Sequence, residues 1–174
     1  MGSPLSRSGV LHLDLEGGSV FPGLISYGTA LGLTHIFHEA STNDGLVLDP
    51  LSTEMPRIVD TTVVKAVDGL LFTTRDAQLA YRNGITSAVT APSSSGFLAG
   101  LSTVFSTSAP HKLAEGAVTQ EVAALHVALS LSFRVSVGTQ IATLRSLLLG
   151  EGKGDLGKRF SDVVSVCIVH AICA

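Results

Sequence analysis

Residues 16–33 read EGGSVFPGLISYGTALGL, and this stretch decides the fold. Gly17-Gly18 marks a tight turn, because glycine tolerates the left-handed backbone that such turns need. Residues 20–26 read as a short apolar strand, with Pro22-Gly23 leading the chain towards a loop. Upstream, VLHLDL at 10–15 alternates apolar and polar residues, the period of an exposed or edge strand.

The 174-residue chain is 45% hydrophobic and 14% charged, with a mean hydropathy of +0.45 and no tryptophan. Its length suits one sizeable core rather than two domains. So large an aliphatic excess fits elements buried on more than one face, as in a parallel sheet covered by helices. It also fits part of something larger, whose apolar surface expects partners. A net charge of −3 with no basic run gives nucleic-acid binding no electrostatic footprint. Residues 1–9 are polar and Gly/Ser-rich, unlike a signal peptide. The apolar run 163–174 includes Ser165 and His170 and is shorter than the ~20 residues of a membrane span. Cys167 and Cys173 are the only cysteines, so a reduced, cytoplasmic setting is expected. The closing VVSVCIVHAICA has no polar tail and reads as a chain cut inside its core.

Residues 29–53 read as loop, with turn signals at Asn43-Asp44-Gly45 and Asp49-Pro50. Residues 62–71 fit either helix or strand. Residues 74–83 predict a helix, with Ala77, Leu79, Ala80 and Tyr81 turned inward and Asn83-Gly84 closing it. ITSAVT at 85–90 is then a buried strand ended by Ala91-Pro92, and the pair forms half of a βαβ unit. Residues 93–96 read as a small-residue loop, 98–106 as a strand, and 118–131 as an apolar run of mixed period. Residues 136–149 predict a helix with Val137, Ile141, Leu144 and Leu148 on one face, and 163–172 a closing strand.

Gly17, Gly18, Val20, Pro22, Gly23, Leu24 and Ile25 follow the pattern GG-x-V-x-PGLID-x-H-x-H. AYRNGITSAVTAP at 80–92 is similar to an A-x-x-x-GVT helix and strand ending in proline. GFLAGLSTVFSTSA at 96–109 and TQIATLRSLLLG at 139–150 look like an insertion and helix of imidazolonepropionase-like and carbohydrate esterase family 9 relatives. In order and spacing, these segments resemble the N-terminal part of the amidohydrolase superfamily over most of residues 10–150. The resemblance implies an α/β chain: a partial (β/α) barrel of the metal-dependent hydrolase type over 20–174, after a small flanking β-structure over 1–19. It also implies hydrolysis of non-peptide C–N bonds, amide or N-acetyl, by metal-bound water.

The family's His-x-His falls on Gly28 and Ala30, and its aspartate on Ser26. Two histidines so spaced on a strand share a face and can grip one metal ion, whereas glycine and alanine offer no donor. A complete barrel takes ~250 residues, so the strands with the later ligands are expected to be absent from these 174 residues. The expectation is a hydrolase-type fold that is inactive as this chain, with no catalytic residue, no metal ligand and no cofactor. A divalent metal such as zinc enters only where the family chemistry is kept elsewhere. The alternatives are a non-catalytic ligand-binding or subunit-partner protein, or a truncated product. For a small-molecule ligand, Tyr27, Thr29, Ser93, Ser94 and Ser95 are the expected contacts, at strand carboxyl ends. Open sheet edges predict self-association.

Other signals are weaker. His35 and His38 are spaced for one helix face but have no third ligand, so solvated loop histidines are expected. G-x-G-x-x-G at 152–157 follows a predicted helix, whereas a dinucleotide site needs a preceding strand. Cys167 and His170 would face opposite ways on a strand. His126, in an apolar run, is expected to be a hydrogen-bonded core residue.

Overall fold

The computed structural model describes residues 13–51, 62–131 and 135–151, and the main chain of a strand at Val166–His170. The predicted helix–glycine–strand unit is present. Helix α2 belongs to it and spans Arg75–Arg82; a single-turn helix, α1 (Ala66–Gly69), precedes it. The Thr74 side chain caps α2 by accepting from Ala77 N–H at 3.3 Å. His35 Nδ1 accepts a second N–H of the first turn, that of Arg75, at 3.2 Å. Asp76 in the first turn and Arg82 in the last complement the helix dipole. Gly84, at φ +87°, then reverses the chain into a strand over Ile85–Thr90. The inward face of α2 is narrower than its sequence predicts. Only Ala77 is buried, and Leu79 and Tyr81 are exposed, because two turns of helix cover one side of that strand.

The first strand, β1, spans Leu24–Thr29 rather than 20–26. Pro22 has no N–H to give a ladder, so pairing starts with Leu24 N–H to Gly84 O at 2.8 Å. Residues 13–15, expected to end a strand, lie in none. Leu13 is 76% exposed there, and a turn closed by Gly18 N–H to Leu15 O follows. Residues 10–12 lie outside the described residues.

The loop expected over 29–53 is built rather than irregular. A 3-10 turn at Ala40–Thr42 and a two-residue strand β2 (Leu46–Val47) lie within it. With Ile85–Thr90 as β3, the segment Ser93–Ser94, expected as loop, is strand β4 and pairs parallel with β2. The Asp49 carboxylate fixes this arrangement by accepting the N–H groups of Leu51, Phe97 and Leu98 at 2.9, 2.6 and 3.1 Å.

Residues 98–106 form two strands, β5 (Leu98–Leu101) and β6 (Thr103–Ser106), split at Ser102. The apolar run 118–131 likewise holds β7 (Val118–Gln120) and β8 (Leu125–Leu129). One sheet has the order β1-β3-β6-β7, with β1 parallel to β3 and the other pairs antiparallel. The second has the order β5-β8-β9, where β9 is Val166–His170, parallel to β8, with Cys167 level with His126. Ser102 joins the sheets. Fully buried, it gives its N–H to Ala124 O at 2.8 Å and takes Ala123 N–H on its own O at 2.9 Å. Its hydroxyl lies 3.1 Å from Ala124 N and 3.2 Å from Ala124 O. One antiparallel ribbon, β5–β6 against β7–β8, thus bends across from sheet to sheet without losing its hydrogen bonds. Among the described residues the three sheets do not close into a barrel.

Each large sheet has its own apolar cluster. Leu70, Ala88 and Phe105 pack beside the first, with Phe72 edge-on to Phe105 at 6.0 Å between centroids. Val63, Leu98, Leu101, Leu125, Val127, Leu144 and Leu147 fill the second. The last two come from helix α3 (Val137–Leu148), capped by Ser136 Oγ on Thr139 N–H. Its buried face is Gln140, Leu144 and Leu147; the predicted Ile141 and Leu148 are exposed. Gln140 turns the helix. Its Oε1 accepts Ser130 N–H at 3.0 Å, and its Nε2 donates to Ser130 O and Val135 O at 2.7 and 3.1 Å.

Gln140→Leu keeps the volume and removes three hydrogen bonds. At ~1 kcal/mol net for each bond, it should destabilise the fold by ~3 kcal/mol in urea unfolding. An unchanged midpoint would show that α3 is held by its leucines alone.

Candidate functional site

A cavity of about 240 Å³ opens at the carboxyl ends of the parallel pair β1 and β3. Gly28 and Ala30 line it from the end of β1, and Ala91, Pro92, Ser93 and Ser94 from the segment after β3. Ala99 on β5 and His126, Val127 and Ala128 on β8 close it from the second sheet. Ligand sites of open α/β folds lie in this position, beyond strand carboxyl ends. The lining carries no charged side chain.

Two backbone features shape the mouth. The β1–β3 register shifts between Tyr27 and Thr29, and the residue at the bulge, Gly28, has φ +73°. L-residues rarely adopt that conformation. The Thr90 hydroxyl donates to Leu31 O, and Ala91 N–H donates to Thr29 O at 3.0 Å, so the two strand ends stay together past the ladder.

His126 is the notable side chain. It is 1% exposed, and neither ring nitrogen has a hydrogen-bond partner among the described residues. Its Cε1, the carbon between the two nitrogens, would lie 3.9 Å from a Cβ placed on Gly28. The nitrogen-bearing edge therefore faces the end of β1. The Tyr27 ring lies 6.2 Å away between centroids, tilted by 36°. Burial withholds hydration from the charged imidazolium and holds the His126 pKa below its ordinary value. The sequence marks His126 as a core histidine, and it is buried as expected. Among the described residues the expected hydrogen bond has no partner, and the cavity lining there is mostly alanine, glycine and valine.

Among the expected ligand contacts, Ser93 and Ser94 line the cavity; Tyr27 does not, though its ring lies beside that of His126, which does. Thr29 Oγ1 lies 3.0 Å from Ser26 Oγ at the exposed side of β1, and Ser95 is exposed beyond β4; neither lines the cavity. His126, Ala99 and Ala128 were not singled out as contacts, since only the turn of the ribbon into the second sheet brings them to β1. The remaining histidine pair divides: His35 caps α2, and His38 stacks edge-on against Phe37 at 5.0 Å. The 152–157 glycine motif lies outside the described residues.

A metal of the kind the resemblance implies does not fit these residues. The His-x-His positions, Gly28 and Ala30, have no side-chain donor, and His126 is the sole imidazole in the lining. A catalytic zinc needs about three protein ligands. Among the described residues no three His, Cys, Asp or Glu side chains come together.

By structure, the chain is similar to an amidohydrolase from Thermotoga maritima, with a TM-score of 0.54 and 18% sequence identity. The likeness covers 82% of this chain and 42% of that one, so this chain spans less than half its length. At that identity the likeness shows an amidohydrolase-like fold and nothing of the activity. No protein-family model and no curated protein matches the chain. No helix among the described residues is long and apolar enough to cross a membrane.

The lowered His126 pKa fixes the sign of a pH effect. The unfolded chain takes up a proton at this side chain near the ordinary pKa of 6.5, and the folded chain only at lower pH. Between the two values the unfolded state holds more protons, so stability is full above that range and falls with pH, by up to ~1.4 kcal/mol per unit. His126→Gln should remove this slope. Urea melts from neutral to about pH 5 decide it, and parallel curves for the two proteins would refute it.

Proposed function

We propose that this chain is a non-catalytic, small-molecule-binding protein on an amidohydrolase-like fold, corresponding to the first part of a metal-dependent hydrolase barrel. The observation that carries the reading is that Gly28 and Ala30, where the resemblance puts the metal-binding histidines, are wall residues of the cavity that holds His126. A place suited to a metal ion in the resembling hydrolases is here a small neutral-walled recess. Ser93, Ser94 and Tyr27 are its proposed ligand contacts.

Two assays test the reading together. Purified protein incubated with zinc, manganese or cobalt should hydrolyse amide and N-acetyl substrates no faster than buffer. A bound small molecule should raise the melting temperature, by the equivalent of ~2.7 kcal/mol at a hundred times its Kd. Ala30→Phe, which fills the recess, should abolish that shift. Metal-dependent turnover that copurifies with the chain would overturn the reading.

A second reading, pairing with another copy, has its own observation. Among the described residues β1 is an edge strand, and its Leu24 and Ile25 are 62% and 67% exposed. Uncharged edges of this kind invite a further strand. Sedimentation velocity should show a dimer or larger species, and a dilute monomer would exclude this reading.

A further inference from the structure

The turn that joins α2 to β3 holds a reactive pair of residues. Asn83 is followed by Gly84, and both are exposed. Open space surrounds the face of Gly84 where a side chain would stand, so water reaches the turn. The main-chain nitrogen of a glycine can attack the side-chain carbonyl of a preceding asparagine, because glycine has no side chain to obstruct it. The step needs no outside reagent. A bond forms between Gly84 N and Asn83 Cγ, the bond from Cγ to Nδ2 breaks, and the proton of Gly84 N leaves with Nδ2 as ammonia. Water then opens the five-membered imide at either carbonyl, which leaves aspartate or its β-linked isomer.

The folded turn holds both partners of that attack apart. Gly84 N–H donates to Tyr81 O at 2.9 Å. Asn83 Nδ2 donates to Leu79 O at 2.7 Å, which turns the amide back along α2. Asn83 N–H is shared between Leu79 O and Ala80 O at 3.2 and 3.1 Å. A five-membered ring needs Cβ of Asn83 and N of Gly84 nearly eclipsed about the Cα–C bond of Asn83. At its ψ of 14° the tetrahedral carbon keeps them well apart, so the reacting atoms are not in an attacking geometry. Closing the ring requires rotation about that bond, which breaks the Gly84–Tyr81 hydrogen bond and moves the start of β3.

We propose that Asn83 is a self-modification site that the folded turn keeps closed: the chain deamidates there, through an imide with Gly84, when the α2–β3 turn opens. The product marks the chain permanently. The β-linked isomer routes the main chain through the former side chain and lengthens it by a methylene. That change falls directly before Gly84 O, which accepts Leu24 N–H at 2.8 Å and so starts the pairing of β1. Either product adds a negative charge at the carboxyl end of α2, where the helix dipole is already negative, and loses the donor to Leu79 O. A chain modified while open therefore refolds to a less stable state.

The full chain is aged in warm, mildly alkaline buffer, once folded and once in urea, and conversion of Asn83 is followed by peptide mass spectrometry. Conversion in urea should outrun conversion in the folded chain by ~tenfold or more, since the folded chain reacts only from its locally opened state. Asn43, the chain's other asparagine, precedes Asp44 and should convert more slowly than Asn83 in urea. Gly84→Ala, followed in urea where no fold is needed, should slow the reaction at Asn83 several-fold. The modified chain, separated and returned to native buffer, should unfold at a lower urea concentration than the unmodified chain, or fail to refold. Equal rates in the folded and unfolded chains would overturn the closed turn. Absence of conversion at Asn83 in urea, or an unchanged rate with Gly84→Ala, would overturn the site. An unchanged urea midpoint after modification would overturn its effect on the fold.

Discussion

Everything in this fold hangs on the crossing at Ser102. A chain that leaves one sheet for another must part with ladder hydrogen bonds in the middle of the protein, where water cannot replace them. Here the crossing residue has a small side chain whose hydroxyl doubles the work of its main chain, and Ala123 and Ala124 opposite are small enough to approach it. A larger residue at either place would separate the strands and leave buried peptide groups without partners. The two apolar clusters lie on either side of this crossing, one under Phe105 and the other under Leu125 and Val127. The recess forms between the sheets for the same reason: the bend carries His126 from the second sheet round to the carboxyl end of β1.

The walls of the recess follow from side-chain size. Four alanines, a glycine and two serines meet there, and none can reach across to the imidazole. The surrounding bonds are used up locally. Asp49 satisfies the main chain at Phe97 and Leu98, and Ser94 Oγ accepts Gly96 N–H at 3.0 Å. These bonds hold the loops in place, and among the described residues the lining presents mostly methyl groups beside the ring.

Much of this was legible in the sequence wherever the deciding contacts are local. Helix α2 and strand β3 follow from Thr74 at one end and Asn83-Gly84 at the other, all within one short segment. The register of α3 was not legible, because a glutamine normally reads as outward-facing and only the Ser130 main chain gives Gln140 a reason to turn in. The split of 98–106 was hidden for the same kind of reason. Nothing in LAGLSTVFS announces a change of sheet, since the partner that enforces it is at Ala123–Ala124. The serines of the recess could be found from their place after a strand. His126 gave an apolar context and therefore burial, but that no polar group meets it among the described residues depends on segments distant in sequence.

The bulge at Gly28 separates two kinds of change. A metal-binding side chain lost from a regular strand could return by a single substitution, because the backbone would still present it. At φ +73° a side chain placed at Gly28 has room, with only the His126 ring in contact, but it must bear a left-handed backbone at the shifted register between Tyr27 and Thr29. The walls of the recess can therefore change one residue at a time, whereas any side chain added at the bulge carries the cost of its backbone as well.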